Sequence, residues 1–259
     1  MNHFNQIDCK LLLFDLDGTL LDSNKTISPR NLTALEQCRA KGFLIGIATA
    51  RSEPTCARFL AQVKPDVVIS NGGALVRVKG KIIYHNAFTE KETAVLVKAG
   101  IAENRGVTVD CAENTYCNRV IDSPDWADIT FTDFADFDIL HESAFKVCIE
   151  GTDRTFAERT AALVTDCDWL PFSDCDWFKF SRAAAAKEKA IPPIERALGI
   201  SREQIVSFGD DYVDAKMLQY CGIGVAMGNA IDEIKRCADV VIGDNDSDAI
   251  GAYLENNIL

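Results

Sequence analysis

The chain has 259 residues, 47% of them hydrophobic and 25% charged, with a formal net charge of −12. That length allows one large domain or two modest ones, with a core that needs no staples. An acidic chain without a basic run lacks the Lys and Arg footprint that holds phosphate backbones and anionic lipid, so nucleic acid and membrane surfaces are excluded as partners.

Residues 1–6 carry no basic segment followed by an apolar one and do not read as a signal peptide. The apolar runs are of strand length, too short to span a bilayer. Residues 10–14, Lys-Leu-Leu-Leu-Phe, form a short continuous apolar run, the pattern of a strand buried on both faces. Ser28-Pro29 opens a helix with Ser28 as N-cap and apolar positions at Leu32, Leu35 and Cys38, and Gly42 closes it. A strand over 43–48, a helix over 52–62 and a strand over 66–70 follow, then a hairpin over 74–84 turning at Lys79-Gly80. Residues 89–104 and 153–164 are helical, and 107–111, 144–150 and 177–181 read as strands. Alternation then returns: helix 187–198, strand 204–208, helix 212–220, strand 223–226, helix 231–237, strand 239–242 and helix 248–256. Strands alternating with helices at both ends of the chain predict an α/β parallel sheet. The predicted core covers 1–84 and 182–259, with an inserted α+β module over 85–181. The ten cysteines show no C-x-x-C spacing and read as buried, reduced thiols of a cytoplasmic protein.

Chemistry concentrates where predicted strands end. Residues 15–19, Asp-Leu-Asp-Gly-Thr, follow the first strand at the end where open parallel sheets bind ligands. Asp15 and Asp17 share a face while extended, and Gly18 permits a sharp turn that aims backbone N–H groups at an oxyanion. Two carboxylates there suit a covalent nucleophile, an acid/base or a hard-cation site; a βα-turn with an Asp N-cap is the structural alternative. Thr49, ending the second strand, can donate to a phosphate oxygen or cap a helix, and Arg51 leads toward a helix N-terminus that favours anions. Asn71-Gly72-Gly73 is by composition a turn. Lys187 stands at a helix start, where the macrodipole disfavours a cation, with Lys189 as a competitor. Asp210, Asp211 and Asp214 fall within five residues after a strand. They repel one another unless a cation such as Mg²⁺ joins them, the alternative being an acidic, helix-capping loop.

In their order along the chain, these stretches resemble the four motifs of the haloacid dehalogenase superfamily, and the insert resembles the C2 cap of its Cof-type members. The resemblance covers the whole chain. It implies a Rossmann-like core with an inserted α+β cap, Asp15 as nucleophile and Asp17 as general acid/base. It also implies Mg²⁺ held by the Asp15 carboxylate, the Asp17 backbone carbonyl and Asp210, with Asp214 behind them. Thr49 and Lys187 then bind the phosphoryl group, and Gly18, Arg51, Asn71 and Asn229 lie near substrate or metal; capping the next helix is the alternative role of Asn229. Residues 244–250 resemble the terminal signature. Ala50, Glu188, Val213 and Ala249 stand where relatives commonly carry Gly, Gly, Asn and Gly. An acid at position 17 favours phosphate esters over dehalogenation or ion pumping. The expected protein is therefore a Mg²⁺-dependent phosphoric monoester hydrolase acting on a small phosphorylated metabolite, such as a sugar phosphate, as a monomer or homodimer. A phosphomutase and a non-catalytic phosphometabolite-binding protein are the alternatives. Among the insert's aromatics, Trp126, Trp169, Trp177, Phe178 and Phe180, most are expected in the insert's own core, with stacking on substrate as the other role.

Overall fold

The computed structural model describes residues 8–119, 132–133, 140–172 and 175–259. The chain opens on β1 (Leu11–Phe14), four fully buried residues. α1 (Pro29–Ala40) follows, with the Ser28 hydroxyl accepting the Asn31 N–H and Pro29 in the first turn, where a missing donor costs nothing. Next come β2 (Leu44–Ala48), α2 (Glu53–Val63), β3 (Val67–Ser70), β4 (Leu75–Val78) and β5 (Lys81–His85). Lys79 and Gly80, both at positive φ (48° and 77°), join β4 to β5 in a type I′ turn.

The next stretch carries α3 (Glu90–Ala102), β6 (Val107–Asp110), β7 (Thr115–Cys117), β8 (Thr132–Asp133) and β9 (Lys146–Glu150). α4 (Arg154–Ala161), β10 (Cys167–Pro171) and β11 (Trp177–Arg182) complete it. The last stretch holds α5 (Lys187–Leu198), β12 (Ile205–Gly209), α6 (Ala215–Tyr220), β13 (Ile223–Ala226), α7 (Asp232–Cys237), β14 (Val240–Val241) and α8 (Ala249–Asn257). By contact the chain divides into two units. One comprises the chain up to Ala50, Arg58–Tyr84 and Ala186–Leu259; the other comprises Arg51–Ala57 and His85–Ala185.

The first unit is built on an eight-stranded sheet ordered β14-β13-β12-β1-β2-β3-β4-β5, parallel from β14 to β3 and antiparallel at β3–β4. Both faces of β1 are covered, as its unbroken apolar sequence requires. Leu11 and Leu13 pack with Ala190, Ile191 and Ile194 of α5. Phe14 stacks on Phe208 at 4.5 Å, and Phe208 meets Tyr253 of α8 edge-on at 5.7 Å. This is the α/β, Rossmann-like architecture.

The second unit is a six-stranded sheet ordered β10-β11-β9-β6-β7-β8. One face, with Val107, Val109, Val147, Ile149, Phe178 and Phe180, packs against α3 and α4 through Leu96, Val97 and Phe156. On alternating positions Lys146 and Asp110 form a buried ion pair at 2.9 Å, to which Thr115 donates at 2.8 Å. Thr115 also shares a 3.1 Å hydrogen bond with Ser52.

Three sequence readings change. β7 and β10 were not foreseen, since neither carries an apolar run; both are held by ladder pairing to β6 and β11. The helix expected over 212–220 begins as a 3-10 turn at Tyr212–Asp214, where Asp211 accepts the Tyr212 N–H, and becomes α-helical only at α6. Of the ten thiols, Cys9, Cys167 and Cys237 are half-buried and Cys175 is exposed, so the expectation of burial holds for Cys38, Cys56, Cys111, Cys117, Cys148 and Cys221. Phe178 and Phe180 are buried in the second unit's core, with Trp169 edge-on to Phe178 at 5.4 Å, while Trp177 is half-buried at the start of β11. Trp126 lies outside the described residues. Among the described residues, no helix is long and apolar enough to cross a membrane.

Candidate active site

Five parallel strands of the first unit hand the chain to polar residues at the same end of the sheet. Asp15 follows β1, Thr49 follows β2, Asn71 follows β3, Asp210 follows β12, and Asn229 comes three residues after β13. The Asp15 N–H donates to the Phe208 carbonyl at 3.0 Å, continuing the β1–β12 ladder by one residue and so fixing the carboxylate where the sheet ends.

Lys187, in the first turn of α5, is 1% exposed. Its Nζ donates to Asp15 Oδ1 at 2.5 Å and to Asp214 Oδ1 at 2.6 Å. Lys189 is exposed two residues on. Burial opposes the Lys187 charge, but the two carboxylates outweigh it and raise its pKa, so the ammonium is kept. Burial pushes the Asp15 carboxyl well above the usual carboxylate range; Lys187 pulls it back, while Asp214 and Asp210 push it further up.

Asp214 braces the loop in front of it. Its Oδ2 accepts the N–H groups of Asp210 and Asp211 at 3.1 and 3.2 Å, and with Oδ1 on Lys187 both oxygens are engaged. Asp210 accepts the Thr19 hydroxyl on Oδ1 at 2.7 Å. Its Oδ2 faces Gly18: a Cβ there would lie 2.2 Å away, and Gly18 has φ +75°. Gly18→Ala is therefore expected to cost about 1–3 kcal/mol in urea unfolding. It should also displace Asp210 and abolish stabilisation by Mg²⁺; a variant that kept the wild-type Mg²⁺ response would contradict this.

Asp15, Asp210 and Asp214 each offer a carboxylate oxygen, all within 4.8 Å of one another. Three buried or half-buried acids share one ammonium, so a divalent cation with hard oxygen preference fits the donor set. Asp15 and the Asp210 Oδ2 are the oxygens best placed to ligate, since Asp214 is already committed. Burial pushes the Asp210 carboxyl up to about 6; the Thr19 hydroxyl lowers it and Asp214 and Asp211 raise it. Because the folded value lies above the unfolded one, this group's contribution to metal-free stability is present below about pH 4 and lost as pH rises toward 6. A cation that needs the ionised carboxylate reverses the trend. The rise in melting temperature on adding Mg²⁺ is expected to be larger at pH 7 than at pH 5 by calorimetry; equal rises would refute the assignment of Asp210.

The Asp17 carboxylate stands apart from this cluster. Its Oδ1 accepts Lys25 Nζ at 2.9 Å, with both side chains more than a third exposed. Thr49 is buried; its N–H donates to Ile69 at 2.8 Å and its carbonyl accepts the Gly72 N–H at 2.9 Å. Asn71 is 3% exposed at φ 52°, and neither Nδ2 nor Oδ1 has a hydrogen-bond partner. An unpartnered buried amide is costly unless water or a ligand meets it. Asn229 Nδ2 donates to the Gly18 carbonyl at 2.8 Å, and its Oδ1 accepts the Asn245 N–H at 3.0 Å, so it secures the Gly18 turn. Arg51 belongs to the second unit and is not among the residues gathered here.

Thr19 and Lys25 were not among the candidate site residues of the sequence reading. Thr19 was legible as the residue completing Asp-Leu-Asp-Gly-Thr. Lys25 carried no signal, because a lone lysine in a polar loop reads as solvated.

The profile of the haloacid dehalogenase-like hydrolases matches residues 12–254. The pyridoxal phosphate phosphatase YbhA of Escherichia coli is 28% identical over 275 residues, covering 96% of this chain and 99% of that protein. The 5-amino-6-(5-phospho-D-ribitylamino)uracil phosphatase YcsE of Bacillus subtilis is 25% identical over 264 residues, covering 98% and 97%. A haloacid dehalogenase-like hydrolase of Bacteroides thetaiotaomicron superposes with a TM-score of 0.86 at 22% identity, covering 96% and 99%.

Proposed function

The chain belongs to the haloacid dehalogenase-like hydrolases, and on that premise we propose that it is a Mg²⁺-dependent phosphatase of a small phosphorylated metabolite, with Asp15 as nucleophile. The observation that carries this reading is Asp15 at the end of β1, held on one side by Lys187 and faced on the other by Asp210. Two relatives are named as phosphatases of small esters, pyridoxal phosphate and 5-amino-6-(5-phospho-D-ribitylamino)uracil. The inserted second unit takes the part of the cap.

An Asp15 carboxylate oxygen attacks phosphorus and forms a P–O bond, while the bond from phosphorus to the leaving oxygen breaks. Asp17 gives that oxygen its proton, so an alcohol departs. A water then attacks the aspartyl phosphate, Asp17 takes a proton from it, and inorganic phosphate and the Asp15 carboxylate are restored. Lys187 keeps Asp15 oriented and offsets charge throughout, and Thr49 and Asn71 provide polar groups for phosphate or ester. Mg²⁺, held by Asp15, Asp210 and the Asp17 backbone carbonyl, would supply charge neutralisation on the phosphoryl oxygens. Phosphate release from p-nitrophenyl phosphate and a panel of sugar phosphates, with Mg²⁺ and with EDTA, tests the reading. Mg²⁺-dependent release supports it; a folded, Mg²⁺-loaded protein that releases none from any ester overturns it.

A further inference from the structure

Lys25 is delivered to Asp17 by a turn built for the purpose. The Asp22 carboxylate accepts the N–H groups of Asn24 and Thr26 at 2.9 and 2.8 Å and the Thr26 hydroxyl at 2.6 Å. The Asp22 N–H donates to the Thr26 carbonyl at 2.9 Å, and the Lys25 N–H returns to the Asp22 carbonyl at 3.0 Å. Ser23 anchors the turn to Asp246 twice, through its N–H at 2.8 Å and its hydroxyl at 2.7 Å. Lys25 sits in this frame at φ 56°, a left-handed position that glycine or asparagine fills at less cost. A side chain kept against that strain points to a use for its ammonium.

The ammonium lies 2.9 Å from the carboxylate assigned to protonate the leaving oxygen. One further hydrogen bond places it within about 6 Å of that oxygen. Over a third of the Lys25 side chain is exposed, so it is reachable by a substrate. On a chain of net charge −12, an anionic leaving group is repelled unless a cation meets it locally.

We infer that Lys25 is a specificity residue that selects phosphate monoesters whose leaving group carries a second anion, a carboxylate or a phosphate, close to the scissile oxygen. The inference rests on the phosphatase reading and on the assignment of Asp17 as acid/base. An anion close to the leaving oxygen comes within reach of the exposed ammonium beside Asp17, whereas a neutral leaving group offers that ammonium no counter-charge.

Matched pairs of substrates test it. In the carboxylate arm, 2-phosphoglycerate is compared with glycerol 2-phosphate; in the phosphate arm, propane-1,3-diol bisphosphate is compared with 3-hydroxypropyl phosphate. The quantity read is the ratio of kcat/KM within each pair, which does not depend on how much of a variant is folded. The wild type is expected to prefer the anionic member by about tenfold, and Lys25→Met to bring the ratio close to one. Lys25→Arg should keep the preference and Lys25→Glu reverse it. A response in one arm alone supports the inference and identifies the anion. A wild-type ratio of one or below in both arms, or a ratio that Lys25→Met leaves unchanged in both, overturns it while leaving the phosphatase reading intact. Absence of phosphate release from all four esters and from p-nitrophenyl phosphate overturns both.

Discussion

Asp15→Asn is expected to reduce phosphate release by about 10⁴–10⁶-fold, to the level of contaminating activity. An amide oxygen is too weak a nucleophile to attack phosphorus, and neither other acid of the cluster can replace it: Asp214 is committed to Lys187 and two backbone N–H groups, and Asp210 is held by Thr19. The substitution removes an acid that burial holds well above its usual pKa, so it does not cost the metal-free fold its stability. Unfolding in urea without Mg²⁺ should show a variant at least as stable as the parent at pH 7. Substantial turnover in a clean preparation would remove Asp15 from the nucleophile's role.

Lys187→Met acts in the opposite direction on stability. The ammonium is the only cation bonded to both Asp15 and Asp214 among the described contacts, and all three side chains are buried. Taking away one partner strands the other charges, at a cost of about 3–5 kcal/mol, enough to unfold a large part of a marginal population. Activity should vanish with it. The Asp15→Asn, Lys187→Met double variant should recover about 1–3 kcal/mol of the loss, because one of the stranded acids is gone. Equal stability of the single and double variants would mean that the three groups are not coupled as their distances suggest.

The parallel core was readable because its strands are buried on both faces and therefore unbroken runs of apolar residues, each ending abruptly at a polar motif. Leu11–Phe14 followed by Asp15 is the plainest case. Helices with caps, such as α1 behind Ser28 and α3 behind the Thr89–Glu92 capping box, were readable for a similarly local reason. β10 was not, because an exposed edge strand is held by its neighbour's ladder and needs no apolar run of its own, and β7, only three residues long, is too short to show a pattern. At the site, the spacing of Asp15 and Asp17 and of Asp210 and Asp214 marked candidates but left turn and capping roles open, and family likeness assigned their roles and set Lys187 over Lys189. Periodicity could not choose between two lysines on a first helical turn. The contacts that secure the Gly18 turn, Asn229 to Gly18 and Asn245 to Leu21, join residues more than two hundred positions apart and leave no local trace. Lys25 was hidden for a different reason: its importance comes from a left-handed turn that only Asp22's hydrogen bonds make visible.

The position of β1 between β2 and β12 also has a consequence in time. A ribosome completes β1 about 190 residues before it begins β12, an interval of roughly 10–40 s at about 5–20 residues per second. Meanwhile β2 can pair on one side, but the other edge of an entirely apolar strand has no partner, an invitation to other nascent chains. The strands of the second unit are all encoded inside that interval and find their partners without waiting. Asp15 thus leaves the exit tunnel well before the cation bonded to it, Lys187, and before Asp210 and Asp214, so this cluster is completed only after the second unit has been synthesised.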